Sequence, residues 1–211
     1  KKMIHPHTEL RFINEEVGYG VVATQLIPKG TITWVQDKLD REFSPSQLRS
    51  MDPVYQEILE KYTFRNNKGN YVLCWDNERF INHSFKSNCL STAYDFEMAI
   101  KDIQLGEQVT NDYGYLNLSY SFRGVDEGTK RKVVHPDDLL KYYKVWDNKL
   151  LKAMKHIGKV EQQLRILINQ NLWKHLLKIQ DGEEEMDSIL LNYYPGKSNN
   201  KTDNETVFDF L

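Results

Sequence analysis

The stretch Arg79-Phe80-Ile81-Asn82-His83-Ser84-Phe85-Lys86-Ser87-Asn88-Cys89 decides the fold. An apolar strand end runs straight into hydrogen-bonding side chains, and Asn82 and Asn88 each carry two N–H donors and an acceptor. Alone, this is a polar turn. Two further stretches change its meaning. Upstream stands Glu16-Val17-Gly18-Tyr19-Gly20-Val21, where glycines flank an aromatic and permit a tight turn with close approach of the backbone to a ligand. It lacks GxGxxG spacing and no βαβ unit follows, so it is not a dinucleotide fingerprint. Downstream stands Ile103-Gln104-Leu105-Gly106-Glu107-Gln108-Val109-Thr110-Asn111-Asp112-Tyr113-Gly114, a turn feeding a short strand that ends on tyrosine and glycine.

The remaining pattern supplies the frame. Val21 to Ala23 and Ile32 to Val35 are β-rich runs separated by the turn Pro28-Lys29-Gly30. Ser44-Pro45 and Asp52-Pro53 each pair an N-cap with proline at the first helical position, predicting short helices over 45–51 and 53–61. Residues 62–73 read as a hairpin around Asn66-Asn67-Lys68-Gly69-Asn70. Residues 92–100 and 108–113 suggest further strands. From 137 to 178, Leu139, Tyr143, Trp146, Leu150, Met154, Ile157, Leu164, Ile168, Leu172 and Leu176 recur at helical spacing, with Gly158 as an interruption. A short helix is expected to end near Tyr194-Pro195-Gly196. Residues 197–211 are polar and read as a flexible tail. The class is α+β: a β-rich body followed by an α-helical C-terminal extension.

Composition excludes several classes. The 211 residues carry 28 basic and 30 acidic side chains, a net charge of −2, with 40% apolar and 12% aromatic residues. Such a chain can bury a full core without disulfide or metal staples, and it is neither a disordered chain nor a strongly basic nucleic-acid binder. Cys74 and Cys89 cannot form a disulfide scaffold or a four-cysteine zinc site, which points to a reducing compartment. With no apolar run of about 18 residues and no secretion signal visible at the start, the expectation is intracellular, with no membrane contact. The near-neutral total hides three segments: residues 1–129 carry 14 basic and 18 acidic groups, 130–178 carry 12 and 4, and 179–211 carry 2 and 8. The basic segment is open to two readings, a solvated lysine face or a docking surface for an acidic partner. Direct nucleic-acid binding is not expected.

The three stretches, in this order, resemble the SET domain family of protein lysine methyltransferases. The first motif is Gly18-Tyr19-Gly20 with its following strand and Pro28-Lys29-Gly30. The central motif is matched by Arg79, Phe80, Asn82, His83, Ser84 and Asn88. The last is matched by Gly106, Glu107, Thr110, Asp112, Tyr113 and Gly114. The resemblance spans residues 8–118, leaving 119–196 as the helical extension. It implies small twisted sheets with a C-terminal pseudoknot, and S-adenosylmethionine-dependent methylation of a lysine side-chain amine in a protein, with a histone or other basic protein as a candidate substrate. S-adenosylhomocysteine would be the co-product. By the same resemblance Val17, Gly18, Tyr19, Asn82 and His83 bind the cofactor, and Tyr113 is the catalytic residue. Tyr62 lines the cofactor pocket and Phe64 the substrate channel, although helix-end packing is an equally open reading of Tyr62. His83 is structural rather than a general base.

Departures from the family pattern matter. Phe85 replaces a usual cysteine and Ser87 a usual proline. Asn111 stands where many members carry an aromatic that limits space around the amine, so it is a substrate-channel candidate with consequences for methyl count. No cysteine follows Cys89 in this sequence, so the expectation is a variant without the cysteine-rich zinc segment that closes the pocket in many members, and no zinc is expected. Either the helical extension or residues 115–122 must then cover the site. The alternative reading is a catalytically weak or inactive SET module used in protein interaction.

Overall fold

The computed structural model describes residues 4–196; the expected flexible tail lies outside the described residues. Over the described residues the fold is α+β, with five small sheets and four α-helices. Strands β1 (Thr8–Asn14) and β2 (Gly18–Ala23) form an antiparallel hairpin. β3 (Ile32–Val35) follows. β4 (Arg41–Phe43) leads to α1 (Pro45–Arg49) and α2 (Pro53–Tyr62). Ser44 caps α1 reciprocally: its hydroxyl accepts from the Gln47 N–H at 3.2 Å, and the Gln47 side chain accepts from the Ser44 N–H at 2.8 Å. Asp52 caps α2 by backbone conformation without a side-chain bond. β5 (Thr63–Arg65) and β6 (Tyr71–Leu73) form the expected hairpin and pair with β4 in the order β4-β6-β5.

Next come β7 (Asn82–His83), β8 (Cys89–Ser91), β9 (Phe96–Ala99) and β10 (Thr110–Asn111). β3, β9 and β8 make one antiparallel sheet, and β10 pairs in parallel with β7. The strands expected over 92–100 and 108–113 are shorter than that, because turns at Asp95 and Tyr113–Tyr115 take their ends. β11 (Phe122–Arg123) and β12 (Val133–Val134) form a final hairpin. α3 (Asp138–Met154) and α4 (Gln170–Asp181) follow, and a 3₁₀ turn spans Ile189–Asn192. The long helical pattern is thus broken between Met154 and Gln170. Gly158 sits in that break against α4, where a Cβ would meet Leu177 at 2.7 Å and Gln180 at 3.0 Å.

The largest core joins both parts of the chain. Ile32, Leu90, Phe96, Met98 and Tyr115 pack with Leu139, Trp146, Leu150, Met154, Ile157 and Leu176. Full burial of a side chain such as Leu139, Leu150 or Met154 stabilises by roughly 1.5–3 kcal/mol. Gln162 adds a polar tie, since its amide donates to the Gly30 carbonyl and accepts from the Ile32 N–H, at 2.8 and 2.9 Å. Helices α3 and α4 are therefore built against the sheet that supports the site.

Candidate active site

Backbone pairing brings the three sequence stretches together. Thr110 pairs with Asn82 and Asn111 with His83. The Ser84 N–H donates to the Asn111 carbonyl at 2.8 Å, and the Val109 N–H donates to the Val21 carbonyl at 2.8 Å. Asn88 fastens the same crossing: its amide donates to the Gln108 carbonyl at 2.7 Å and accepts from the Thr110 N–H at 2.8 Å. Both bonding directions of that buried amide are used, which explains an asparagine at this position.

An open cleft of about 470 Å³ lies beside this crossing, lined among others by Asn14, Val17, Asn82, His83, Lys101 and Gln108. The two glycines of the first motif serve it differently. Gly18 adopts φ +76°, a left-handed conformation that favours glycine. Gly20 has ordinary backbone, but a Cβ there would meet Gln108 Oε1 at 2.6 Å, Asn82 Nδ2 at 2.8 Å and Ile13 at 2.9 Å. The Val17 N–H donates to Asn14 Oδ1 at 2.8 Å, which tightens the turn. Asn82 Nδ2 donates to the Tyr19 carbonyl and to Gln108 Oε1, both at 3.1 Å. The Tyr19 ring is exposed and packs edge-on to Phe12 and Phe80, and Tyr62 also packs edge-on to Phe80, at 5.5 Å.

His83 is held rather than poised. Its Nδ1 accepts from the Tyr113 N–H at 3.2 Å, and its ring packs against Phe85, Tyr113 and Phe122. Burial lowers its pKa to about 4, so the ring is neutral at physiological pH. The Tyr113 hydroxyl donates to the Ile81 carbonyl at 2.5 Å. Burial, then the nearby Glu78 and Glu97, push its pKa up, so Tyr113 is a neutral phenol.

Phe64 and Asn111 lie elsewhere than the cleft. Phe64 packs edge-on to Trp34 and lines a small cavity of about 70 Å³ with Trp34, Ser91, Phe96 and Tyr115. Asn111 is buried, and its Nδ2 donates to both Glu97 carboxylate oxygens at 2.7 and 2.8 Å. Its side chain is thus held by an acid that the motifs do not include. Glu97 also accepts from the Ser91 hydroxyl at 2.8 Å and from the Tyr115 hydroxyl at 3.4 Å. Its signal in the sequence was available: it is the one charged residue within the apolar strand Phe96–Ala99.

The cover over the site is the β11–β12 hairpin. Phe122 packs on His83 and Tyr113. Glu127 accepts from the Ser84 hydroxyl at 2.6 Å and from the Phe85 N–H at 2.8 Å. Arg131 donates to Asp112 at 2.6 Å and to Asp138 at 2.5 Å, joining the last motif to the start of α3. Its guanidinium lies over Phe85 and Tyr142. Gly114 makes room for it, since a Cβ there would meet the guanidinium at 2.3 Å. Among the described residues, no group of three or more His, Cys, Asp or Glu side chains could hold a metal ion, and no helix is long and apolar enough to cross a membrane.

Small sheets crossing at a cleft, with a half-buried tyrosine at the crossing, define an α+β domain with an open polar cleft. Residues 18–114 match the family model of the SET domain, so that span is a SET domain. SET domains are in general methyltransferase domains. No curated protein matches the chain.

Proposed function

We propose that this protein transfers a methyl group from S-adenosylmethionine to the side-chain amine of a lysine in a protein substrate. The observation that supports the reading is the Asn82–Thr110 and His83–Asn111 pairing, which brings the Tyr113 N–H onto Nδ1 of the cleft-lining His83. The cleft residues fit the cofactor. Gly18 and Gly20 leave the backbone bare of side chains, and Asn82, Lys86, Lys101 and Glu107 supply donors, acceptors and both signs of charge for an amino-acid zwitterion. When bound, the cofactor supplies an electrophilic methyl on a sulfonium.

The chain's residues do the rest. Val17, Gly18, Tyr19, Asn82 and His83 hold the cofactor, and Tyr62 flanks the Phe80 edge of that site. Trp34, Phe64 and Tyr115 enclose the lysine stem. Tyr113 orients the amine through its oxygen lone pairs, since its proton is committed to Ile81. A neutral phenol of raised pKa is an orienting group, not a base. Rate then comes from alignment of amine and methyl. The acidic balance of residues 1–129 suits a lysine-rich partner such as a histone or another basic protein.

Calorimetric titration with S-adenosylmethionine tests the reading. Saturable one-to-one binding is expected. Absence of binding by the pure protein leaves the interaction-module alternative in its place.

A further inference from the structure

Glu97 and Glu78 are both buried, and their interaction favours the protonated form of Glu78 and the charged form of Glu97. Two carboxylates cannot share such an interaction without a proton between them, so the pair carries one proton and one negative charge. That proton serves Glu78. Nothing serves Asn111 Oδ1, a buried acceptor with no partner among the described residues, nor the buried Trp34 Nε1. Glu78 Oε2 is likewise buried without a partner among the described residues, and unsatisfied groups clustered in this way mark a place where a ligand or water belongs.

The pair also sits on a continuous path. On one side Glu97 holds Asn111, the chain neighbour of Thr110 in the cleft wall. On the other it holds the hydroxyls of Ser91 and Tyr115, both in the wall of the aromatic cavity. A hydroxyl that donates to a carboxylate turns its lone pairs away from it. Ser91 Oγ is thereby set as an acceptor at the cavity, which is what an incoming ammonium needs.

A lysine must lose a proton before it can attack a methyl group, and its ordinary pKa of about 10.4 keeps it charged near neutrality. We propose that the Glu78–Glu97 pair, acting through the Ser91 hydroxyl, takes up the proton that the substrate ammonium sheds before methyl transfer. This rests on the methyltransferase reading above. In the step, one ammonium N–H bond breaks and nitrogen keeps the electron pair. Ser91 Oγ gains that proton while its own passes to Glu97 Oε1. The pair goes from one shared proton to two, and its charge from −1 to zero. Glu97 is a positioning residue in this scheme, since Ser91 makes the contact.

The surroundings favour uptake. Burial raises the pKa of both carboxyls, and Asp76 and Asp40 raise that of Glu78 further. The other titratable groups facing the pair are Tyr113, Tyr115, Cys74 and Cys89, all of them neutral with pKa values pushed up by burial.

The test uses the full chain and its Glu97→Gln and Ser91→Ala variants, with labelled methyl transfer onto the lysate protein that the wild type labels. Glu97→Gln is expected to lower kcat at least tenfold near pH 7, with the loss closing as pH approaches the lysine pKa of about 10.4. Ser91→Ala, which leaves the carboxyl pair intact, is expected to show the same recovery. A readout independent of turnover is the infrared signal of protonated carboxyl on adding a blocked Ala-Lys-Ala peptide with S-adenosylhomocysteine. It should rise in the wild type and not in Glu97→Gln. A loss of activity that is equal at every pH, or no rise of the carboxyl signal in the wild type, overturns the proposal. A carboxyl signal without any methyl transfer would leave the pair standing and overturn the methyltransferase reading instead.

Discussion

The open cleft and the small cavity lie on either side of the buried Asn111–Glu97 contact, and they are built from different material. The cleft is shaped by backbone: a left-handed Gly18, a Gly20 with no room for a side chain, and main-chain pairing of β7 with β10. The cavity is shaped by side chains, with Trp34, Phe64 and Tyr115 around it and a buried acid behind it. A backbone-built site is fixed by a few motif positions. A side-chain-built one can be retuned residue by residue, and Asn111 reaches it only through Glu97, which holds the cavity-lining Ser91 and Tyr115.

Arg131 ties the last motif to the start of α3, and its replacement has the largest expected effect. Arg131→Met leaves Asp112 and Asp138 buried without their cation, which costs about 3–5 kcal/mol. Chemical denaturation should show a matching fall in midpoint, and a loss within experimental error would mean that the hairpin does not clamp the site.

Acid should act on the junction between the two regions. His83 and His5 both have pKa values lowered to about 4 by burial, from 6.5. A depressed folded-state pKa means the unfolded chain binds more protons, so their stabilisation is present above pH 6.5 and is lost as pH falls toward 4. Each can contribute up to about 3 kcal/mol. Thermal melts across that window should flatten in His83→Gln, with His5 supplying the slope that remains.

Gly20→Ala separates the two regions. The added methyl would enter the space of Gln108 and Asn82, at an overpacking cost of roughly 1–3 kcal/mol. Cofactor titration should lose its signal, whereas the fluorescence of Trp34 in the cavity should stay as it is. Asn111→Tyr is read on the product rather than on stability. Mass spectrometry should show a changed distribution of methyl states, and an unchanged one would remove Asn111 from the channel.

Much of this was legible in the sequence because it is local. The proline-started helices, the hairpin around Asn66–Asn70 and the three motifs each depend on adjacent residues. Glu97 was visible in principle as an acid inside an apolar strand, but its partners Ser91, Asn111 and Glu78 come from three other segments. Arg131 gave no signal at all. It sits in a basic segment where one more cation carries no information, and its meaning comes from Asp112, 19 residues earlier, and from the space at Gly114. The break between α3 and α4 was half legible, since Gly158 marks its place but the gap runs from Met154 to Gln170.

The most direct measurement is transfer of a labelled methyl from S-adenosylmethionine onto cell-lysate protein, comparing wild type with Tyr113→Phe. Labelling of a lysine-containing protein by the wild type, and its loss in a Tyr113→Phe protein that still binds cofactor, is the predicted result. Equal labelling by both proteins, or none by the wild type, would contradict it.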